Sequence, residues 1–289
     1  MIAFIHGGGY LSGGSDIGDS RILATNGKVI VVTISYRLNT LGFLSTQSDA
    51  APGNYGLWDQ ITGLKWVRDN IASFGGDASR VTLMGQSAGS ASVSHLSLSP
   101  AAKGLFQRVI TVSGSAASYF GATSHQRLTT SRLANIYNCP VTSDEEVVDC
   151  LKDKSATSLN LLGIVIPPVR DTYLCTQIPV IDGEVVSMLP IEAMEQGLNA
   201  DYDLLTGATM HDGASFSLPL TISPLTVQLL VNYVMNAYSN REELVSKIFE
   251  RYPDALSPDL ETRQRTMVKV TTDLVFKSRT WKEADLHYR

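Results

Sequence analysis

Apolar runs alternate with helical patterns in the first half of the chain. The run at residues 28–36 is too continuous for a strand with one wet face, and it predicts a strand covered on both sides, as in a parallel sheet. Residues 57–71 carry apolar side chains at three- and four-residue steps, which predicts a helix that Gly75 and Gly76 end. Further strands are predicted at 2–5, 81–84 and 109–112. This alternation favours a mostly parallel, doubly wound sheet.

The second half of the chain is mostly helical in pattern. One more apolar strand is predicted at 204–208. Helices are predicted at 132–137, 145–151, 227–238, 241–252 and from about residue 261 onward. No Pro-, Gly- or Ser-rich linker divides the chain, so we predict one α/β domain over residues 1–289. It would carry a helical insertion at about 125–175 and a helical segment at about 226–289.

Composition and charge narrow the class of protein. The 289 residues are 44% hydrophobic and 18% charged, which is typical of a globular chain that can bury a sizeable core. The net charge of −5, without a basic run, argues against nucleic acid as a partner. No stretch approaches the roughly 20 apolar residues of a membrane span, and no signal peptide is visible. Because the chain opens directly in an apolar strand, we expect further residues to precede it.

The three cysteines leave two redox states open. Cys139 and Cys150 lie 11 residues apart and flank a polar segment, whereas Cys175 stands alone. This spacing fits one short-loop disulfide with a free thiol, and it fits three reduced thiols in a cytosolic protein equally well. No cysteine or histidine spacing matches a zinc site, so no metal is expected.

The sequence Gly-Gln-Ser-Ala-Gly at residues 85–89 follows a short predicted strand and precedes a run of small residues. The pattern predicts a strand, a sharp turn and a helix, with Ser87 at the apex of the turn. Glycine is needed at both flanks because larger side chains would clash in so tight a turn. The hydroxyl would then face a helix N-terminus, where backbone N–H groups favour developing negative charge. A glycine-rich turn with an incidental serine is the alternative.

A second motif, His-Gly-Gly-Gly-Tyr at residues 6–10, follows the first predicted strand. Three consecutive glycines let main-chain amides converge on one point, as an oxyanion hole requires. The hole would combine amides of this loop with the amide of Ala88, directly after the serine. A flexible loop or a phosphate cradle is the alternative, although no Gly-Lys-Ser/Thr sequence follows. Both motifs stand in the order expected of an α/β-hydrolase.

Together with further segments, the two motifs resemble type B carboxylesterases, the cholinesterase-like branch of the α/β-hydrolase fold, over nearly the whole chain. The segments that carry the resemblance are His6–Tyr10, Ser35–Arg37, Gly42–Leu44, Asn54–Gln60, Phe74–Asp77, Gly85–Gly89, Leu105–Arg108, Ser113–Ser115 and Pro179–Gly183. The resemblance implies an α/β-hydrolase fold, in which helices flank a mostly parallel central sheet. Family members extend further in both directions, so we expect the fold to be truncated at both ends.

The resemblance implies that Ser87 is a catalytic nucleophile. Gly8, Gly9 and Ala88 are then the donors of the oxyanion hole. Gln86 precedes the nucleophile, at a position where cholinesterases carry glutamate and some invertebrate esterases carry glutamine. The implied reaction is hydrolysis of a small-molecule carboxylic ester, and it needs no cofactor.

Four further residues receive roles from the resemblance. The acid of the family closes a segment after a strand, and the matching segment at 207–213 points to Asp212; an ordinary turn residue is the alternative. Ser115 matches a serine that orients the acid. Arg37 and Asp59 match a salt bridge, which we expect to be buried and structural, because removing one partner would strand the other charge.

The resemblance also pairs Cys139 with Cys150 in a disulfide that closes a short helical loop. This pairing favours the oxidised state over three reduced thiols. Disulfides persist in oxidising compartments, so we expect a secreted protein or one in the lumen of the secretory pathway.

No histidine of the chain matches the general base of a Ser–acid–His triad, which comes last in the chain order of this fold. After Asp212 the sequence holds only His287, which has no glycine turn before it and is expected to be a surface or helix residue. The 289 residues alone are therefore expected to hydrolyse esters poorly or not at all.

Three functions follow as hypotheses. The first is a carboxylic-ester hydrolase, and the second is a non-catalytic cholinesterase-like adhesion or binding domain. Such binding domains usually lose the nucleophilic serine, so Ser87 within an intact turn favours the enzyme. The third is a cytosolic hydrolase without disulfides, against which the pairing of Cys139 with Cys150 argues. Neither the ester nor the oligomeric state follows from the sequence.

Overall fold

The computed structural model of the protein describes residues 1–16, 19–165, 175–217, 223–235 and 241–289. Two units make up the chain: Met1–Thr206 together with Glu283–Arg289, and Gly207–Lys282. The first unit contains both glycine-rich motifs, whereas Asp212 belongs to the second. The single domain over residues 1–289 stays a prediction.

A five-stranded sheet organises the first unit. Its strands are β1 (Ile2–Ile5), β2 (Val31–Ile34), β3 (Thr82–Gln86), β4 (Arg108–Val112) and β5 (Asp203–Gly207). The strand order is β2-β1-β3-β4-β5, and the pairs β1–β2, β1–β3 and β3–β4 are parallel. All five strands were predicted, and the mostly parallel sheet flanked by helices is confirmed.

The register of the central strands places the two glycine-rich motifs side by side. Ile5, the last residue of β1, lies opposite Gly85 of β3, and Gly85 lies opposite Thr111 of β4. Because parallel strands end at the same edge of a sheet, the loops after β1 and β3 leave it as neighbours. The glycine loop and the serine turn therefore meet at this edge.

Thirteen α-helices are found among the described residues. In the first unit they are α1 (Arg21–Gly27), α2 (Asn39–Phe43), α3 (Tyr55–Asn70), α4 (Ala88–Leu98), α5 (Gln126–Ile136), α6 (Asp144–Lys152), α7 (Ala156–Val165) and α8 (Pro190–Glu195). The second unit contributes α9 (Ala214–Ser217), α10 (Pro224–Met235), α11 (Arg241–Arg251) and α12 (Leu260–Thr271). The last helix, α13 (Ser278–Tyr288), begins in the second unit and ends in the first.

Two helices pack most closely on the sheet. In α3, Leu57, Ile61, Leu64 and Val67 are each 0% exposed, as the three- and four-residue steps predicted. All 11 residues of α4 are buried, so this helix is enclosed by the rest of the unit. Its small residues, four of them serines, let neighbouring backbones approach closely.

The predicted helical insertion is built from α5, α6 and α7. They pack around a cluster of Leu133, Ala134, Cys139, Val147, Leu151 and Leu159. The helix predicted at 132–137 is longer than expected, because it begins at Gln126. Residues 166–174 of the predicted insertion lie outside the described residues.

The second unit has its own apolar cluster. Its buried members are Val227, Val231, Met235, Ile248, Ala255, Met267 and Val270. They come from α10, α11 and α12 and the turn before α12, which supports the predicted helical segment; residues 236–238 of the helix predicted at 227–238 lie outside the described residues. No helix in the described ranges combines the length and the apolar character that crossing a membrane requires.

Candidate active site

Ser87 lies at a strained bend between β3 and α4. Its backbone has φ 57° and ψ −122°, a combination that costs a non-glycine residue roughly 1–3 kcal/mol. The Ser87 amide donates to the carbonyl oxygen of Val112 in β4 at 2.8 Å, which fixes the bend to the sheet. Its own carbonyl oxygen accepts from the amide of Ala91 at 2.9 Å and so begins α4. The side chain is partly exposed at the N-terminus of the helix.

The glycines on both sides of Ser87 are required by close backbone approaches. A Cβ atom on Gly85 would lie 2.2 Å from the carbonyl oxygen of Gly89, and one on Gly89 would lie 2.2 Å from the carbonyl oxygen of Ile5. Gly114, after β4, is similarly restricted, because its Cβ would lie 2.5 Å from the Ser87 carbonyl oxygen. These contacts hold the turn in one conformation.

The glycine loop touches the serine turn. A Cβ atom on Gly7 would lie 3.0 Å from Ser87 Cβ and 2.6 Å from the Gln86 carbonyl oxygen. Gly8 and Gly9 have φ values of 108° and 64°, which favour glycine. Among the described residues, no protein acceptor pairs with the amides of Gly8 and Gly9. Their role as donors to an oxyanion stays a prediction.

Buried aromatic residues support the start of this loop. The His6 ring stacks on the Tyr36 ring with centroids 4.5 Å apart, and the Tyr36 hydroxyl donates to the His6 carbonyl oxygen at 2.9 Å. Burial raises the pKa of Tyr36 well above its usual value, so the hydroxyl remains a donor. A Cβ atom on Gly9 would lie 2.9 Å from the Sγ atom of the free thiol Cys175, so this thiol packs against the loop.

Asp212, the predicted acid, uses its carboxylate within its own turn. One oxygen accepts from the Thr209 amide at 2.7 Å, and the other accepts from the Thr209 hydroxyl at 2.7 Å. These bonds are those of the turn residue that the sequence left as the alternative. The catalytic role of Asp212 stays a prediction.

Two further predicted site residues, Gln86 and Ser115, differ in their surroundings. The Gln86 side chain is exposed, beside the glycine loop. Ser115 is buried, its hydroxyl accepts from the Ala117 amide at 3.1 Å, and its amide donates to the Ser118 hydroxyl at 3.1 Å. These bonds fix the segment after β4, which packs against the serine turn.

No histidine in the described part of the chain is hydrogen-bonded to Ser87. His95 in α4 is buried, with Nε2 2.7 Å from the Gly121 carbonyl oxygen, and burial lowers its pKa to about 4. His211 is exposed, and His287 lies in the last turn of α13, as the sequence predicted. The general base of a triad is therefore not assigned to a residue of this chain.

Arg37 and Asp59 form an ion pair, but the expectation that it is buried was wrong. The guanidinium donates twice to the carboxylate, at 2.8 and 2.9 Å, and the side chains are 51% and 29% exposed. The Asp59 carboxylate raises the pKa of Arg37. Asp59 is near the start of α3, where solvent reaches both side chains of the pair. Such exposed ion pairs contribute about 1 kcal/mol or less to stability.

Cys139 and Cys150 are joined by a disulfide, with their Cα atoms 5.8 Å apart. The bridge links the end of the segment after α5 to α6, within the apolar cluster of the insertion. Cys175 is a buried free thiol, and burial raises its pKa to about 12. The structure thus has the oxidised pair rather than three reduced cysteines.

Sequence reasoning missed one buried acid in the first unit. Glu283, in α13, is 1% exposed, and its Oε1 accepts from the Ser94 hydroxyl of α4 at 2.5 Å. The helical pattern gave no signal for it, because glutamate in an amphipathic helix is expected on the solvent side.

The parallel sheet, the strained serine and the glycine loop define a protein of the α/β-hydrolase class. The chain matches the model of the carboxylesterase family over residues 1–289, and it belongs to that family. It is 40% identical over 301 residues to human neuroligin-3 and 36% identical over 297 residues to mouse neuroligin-2. These alignments cover 100% and 99% of this chain, but only 35% of each relative. The chain thus spans about a third of the length of these curated relatives.

Proposed function

We propose that this chain is part of a serine hydrolase that cleaves carboxylic esters through an acyl-serine intermediate. The observation that carries the proposal is the conformation of Ser87, at φ 57° and directly against the glycine loop. A strained serine at the apex of a strand-to-helix turn is the arrangement that exposes a nucleophile to its substrate. A serine in an ordinary glycine-rich turn has no reason to keep this strain.

Each residue would have a separate role in the proposed reaction. Ser87 Oγ attacks the ester carbonyl carbon and loses its proton, and the amides of Gly8, Gly9 and Ala88 stabilise the resulting oxyanion. The alcohol leaves with a proton, and water then hydrolyses the acyl-serine to release the acid and restore the hydroxyl. Asp212 is the proposed acid of the triad. The base that accepts the Ser87 proton is not supplied by any of the residues discussed above.

A non-catalytic cholinesterase-like binding domain is the second candidate. The likeness to the neuroligins favours it, because these relatives are not named as esterases. In this case the partner would be another protein rather than a small ester.

The disulfide supports a location outside the cytosol. Because disulfides persist in oxidising compartments, we propose a secreted protein or one in the lumen of the secretory pathway. The redox state of Cys139 and Cys150 in protein isolated with rapid thiol alkylation tests this, and full alkylation of both thiols would contradict it.

Hydrolysis of p-nitrophenyl acetate distinguishes the two functions. We compare the protein at its natural length with its Ser87→Ala variant, and each with the 289 residues alone. An esterase loses about 10³-fold or more of its turnover with Ser87→Ala, while the 289 residues show no turnover that depends on Ser87. If the natural-length protein has no Ser87-dependent turnover although both variants are folded, the binding domain is the correct function.

A further inference from the structure

Glu283 places a carboxyl group in the interior of the first unit. Its side chain is 1% exposed, and Oε1 accepts from the Ser94 hydroxyl at 2.5 Å. Oε2 is also buried and has no hydrogen-bond partner among the described residues. A charged carboxylate with one oxygen unpaired in such surroundings is costly, whereas a neutral acid is far less so.

The position of Glu283 links two elements that hold Ser87. Ser94 lies seven residues after Ser87 in α4, on the same face of the helix. Ser115, whose hydroxyl also interacts with the Glu283 carboxyl group, follows β4. The Ser90 hydroxyl donates to the Gly114 carbonyl oxygen at 2.7 Å, so α4 and the segment after β4 are already joined one turn nearer to Ser87.

Apolar contacts hold the end of α13 in the same place. Leu286, three residues after Glu283, packs in a cluster with Leu98 of α4, Ala116 and two residues of α8. The charged side chains of Asp285 and Arg289, near the end of α13, face outward and pair with each other on the surface. The contact of residues 283–289 with α4 is therefore apolar, apart from Glu283 and the hydroxyls of Ser94 and Ser115.

Two histidines lie near this contact. His95, the neighbour of Ser94 in α4, has Nε2 bonded to the Gly121 carbonyl oxygen and a pKa lowered to about 4, so it is neutral in the range where Glu283 titrates. His287 follows Glu283 by one turn of α13, and its buried Nδ1 has no partner among the described residues. On α8, Glu192 and Glu195 are exposed to solvent.

We propose that Glu283 is a proton-dependent brace, which holds residues 283–289 against α4 and the segment after β4 as a neutral acid and weakens this attachment when it ionises. The neutral acid accepts from Ser94 through Oε1 and carries no charge, whereas the carboxylate buries a negative charge with a hydrogen bond to only one of its oxygens. The proposal does not depend on ester hydrolysis, because it concerns how residues 283–289 are held against α4.

The direction of the pH dependence follows from the pKa of Glu283. Burial raises it from 4.5 to about 7, while the Ser94 and Ser115 hydroxyls lower it. The attached state binds the proton more tightly than the detached state, in which the carboxyl group is solvated. The attachment is therefore strongest below pH 4.5, weakens as the pH rises towards about 7, and changes little above that value.

Hydrogen exchange measured by mass spectrometry tests the brace on the natural-length protein. After correction for the intrinsic effect of pH, amides in peptides covering residues 283–289 are expected to exchange at least about tenfold faster at pH 8 than at pH 5. Peptides from α3 serve as the internal reference. Equal corrected rates at the two pH values would overturn the proposal.

Three variants separate the brace from other causes. Glu283→Gln keeps the shape without the charge, so its corrected exchange should not depend on pH; a persisting dependence overturns the proposal. Ser94→Ala removes a hydrogen-bond donor that favours the charged form of Glu283, so the pH dependence of exchange should extend to higher pH. This variant still tests the proposal if Glu283→Gln does not fold. His287→Asn should leave the pH dependence of exchange intact. If the pH dependence disappears in this variant, a Glu283–His287 ion pair holds the contact instead, and the proposal is overturned.

Discussion

The backbone amide of Ser87 donates to the carbonyl oxygen of Val112, with nitrogen and oxygen 2.8 Å apart. This bond extends the β3–β4 ladder by one residue beyond Gln86, to a position where the chain has already turned into the left-handed region of φ. The sheet thus holds the strained residue directly, and α4 begins with the Ser87 carbonyl oxygen. Ser87 is therefore positioned by two regular elements rather than by a loop.

Replacing Ser87 with glycine should stabilise the fold. The strain at φ 57° costs serine roughly 1–3 kcal/mol, and the greater freedom of glycine in the unfolded chain offsets about 0.5–1 kcal/mol of the relief. We expect Ser87→Gly to raise the free energy of unfolding in urea by about 1 kcal/mol. Ser87→Ala keeps the strain and should lie within about 0.5 kcal/mol of the parent. A glycine variant less stable than the alanine variant would show that Ser87 is not strained.

Replacing Gly89 with alanine should be severely destabilising. The new Cβ would lie 2.2 Å from the Ile5 carbonyl oxygen, so β1 and α4 would have to move apart. We expect a loss of about 3 kcal/mol or more in the free energy of unfolding. Gly75→Ala is the matched control, because Gly75 has a positive φ of 78° but open space around it. Its cost should be only about 1–2 kcal/mol, and equal costs at the two sites would argue against the close approach.

Reducing the disulfide should destabilise the helical insertion. A bridge between cysteines 11 residues apart restricts a short loop of the unfolded chain, which corresponds to about 3 kcal/mol. Unfolding of Cys139→Ala/Cys150→Ala, compared with the parent without reductant, measures this loss. Thiol titration in denaturant should find one thiol, Cys175, before reduction and three afterwards. Three thiols before reduction would contradict the pairing.

Acid should destabilise the first unit through His95. Its pKa is about 4 in the fold, whereas it is about 6.5 in the unfolded chain, so the unfolded state binds the proton more tightly. The stability that neutral His95 contributes is present above pH 6.5 and is lost as the pH falls towards 4, by about 3 kcal/mol in total.

The variant His95→Gln tests this loss of stability in acid. It keeps a donor for the Gly121 carbonyl oxygen but has no proton to bind, so its free energy of unfolding should fall less between pH 6.5 and 4 than that of the parent. The pH dependence from Glu283 has the opposite sign in this range, so both proteins are best compared in the Glu283→Gln background. Parallel pH profiles of the two proteins would exclude a role for His95.

The sheet could be predicted from the sequence, whereas several helices could not. The strands are short apolar runs bounded by turns, and α3 shows apolar residues at helical steps that are each fully buried. By contrast, α1 has no buried residue, and its Ile22 and Leu23 are 69% and 43% exposed, so no apolar face marks it. The α7 segment was missed for the opposite reason, since its apolar residues are too evenly spread to indicate one face.

The candidate site could be predicted where it depends on glycine, and less well where it depends on long-range contacts. Glycines that admit close backbone approach leave a local motif, and the structure brings the loop of Gly7 against Ser87 as that motif indicated. No local pattern marks Glu283, which meets Ser94 across 189 residues of sequence. The exposure of the Arg37–Asp59 pair likewise depends on neighbours that are remote in the chain.

The central claim is that Ser87 is an activated nucleophile, and covalent labelling tests it most directly. The protein at its natural length is treated with a fluorophosphonate, and the modified residue is identified by peptide mass spectrometry. We predict a single adduct on Ser87 that is absent from Ser87→Ala and is not formed after denaturation. A folded protein without an adduct, or with an adduct on a different serine, would contradict the claim.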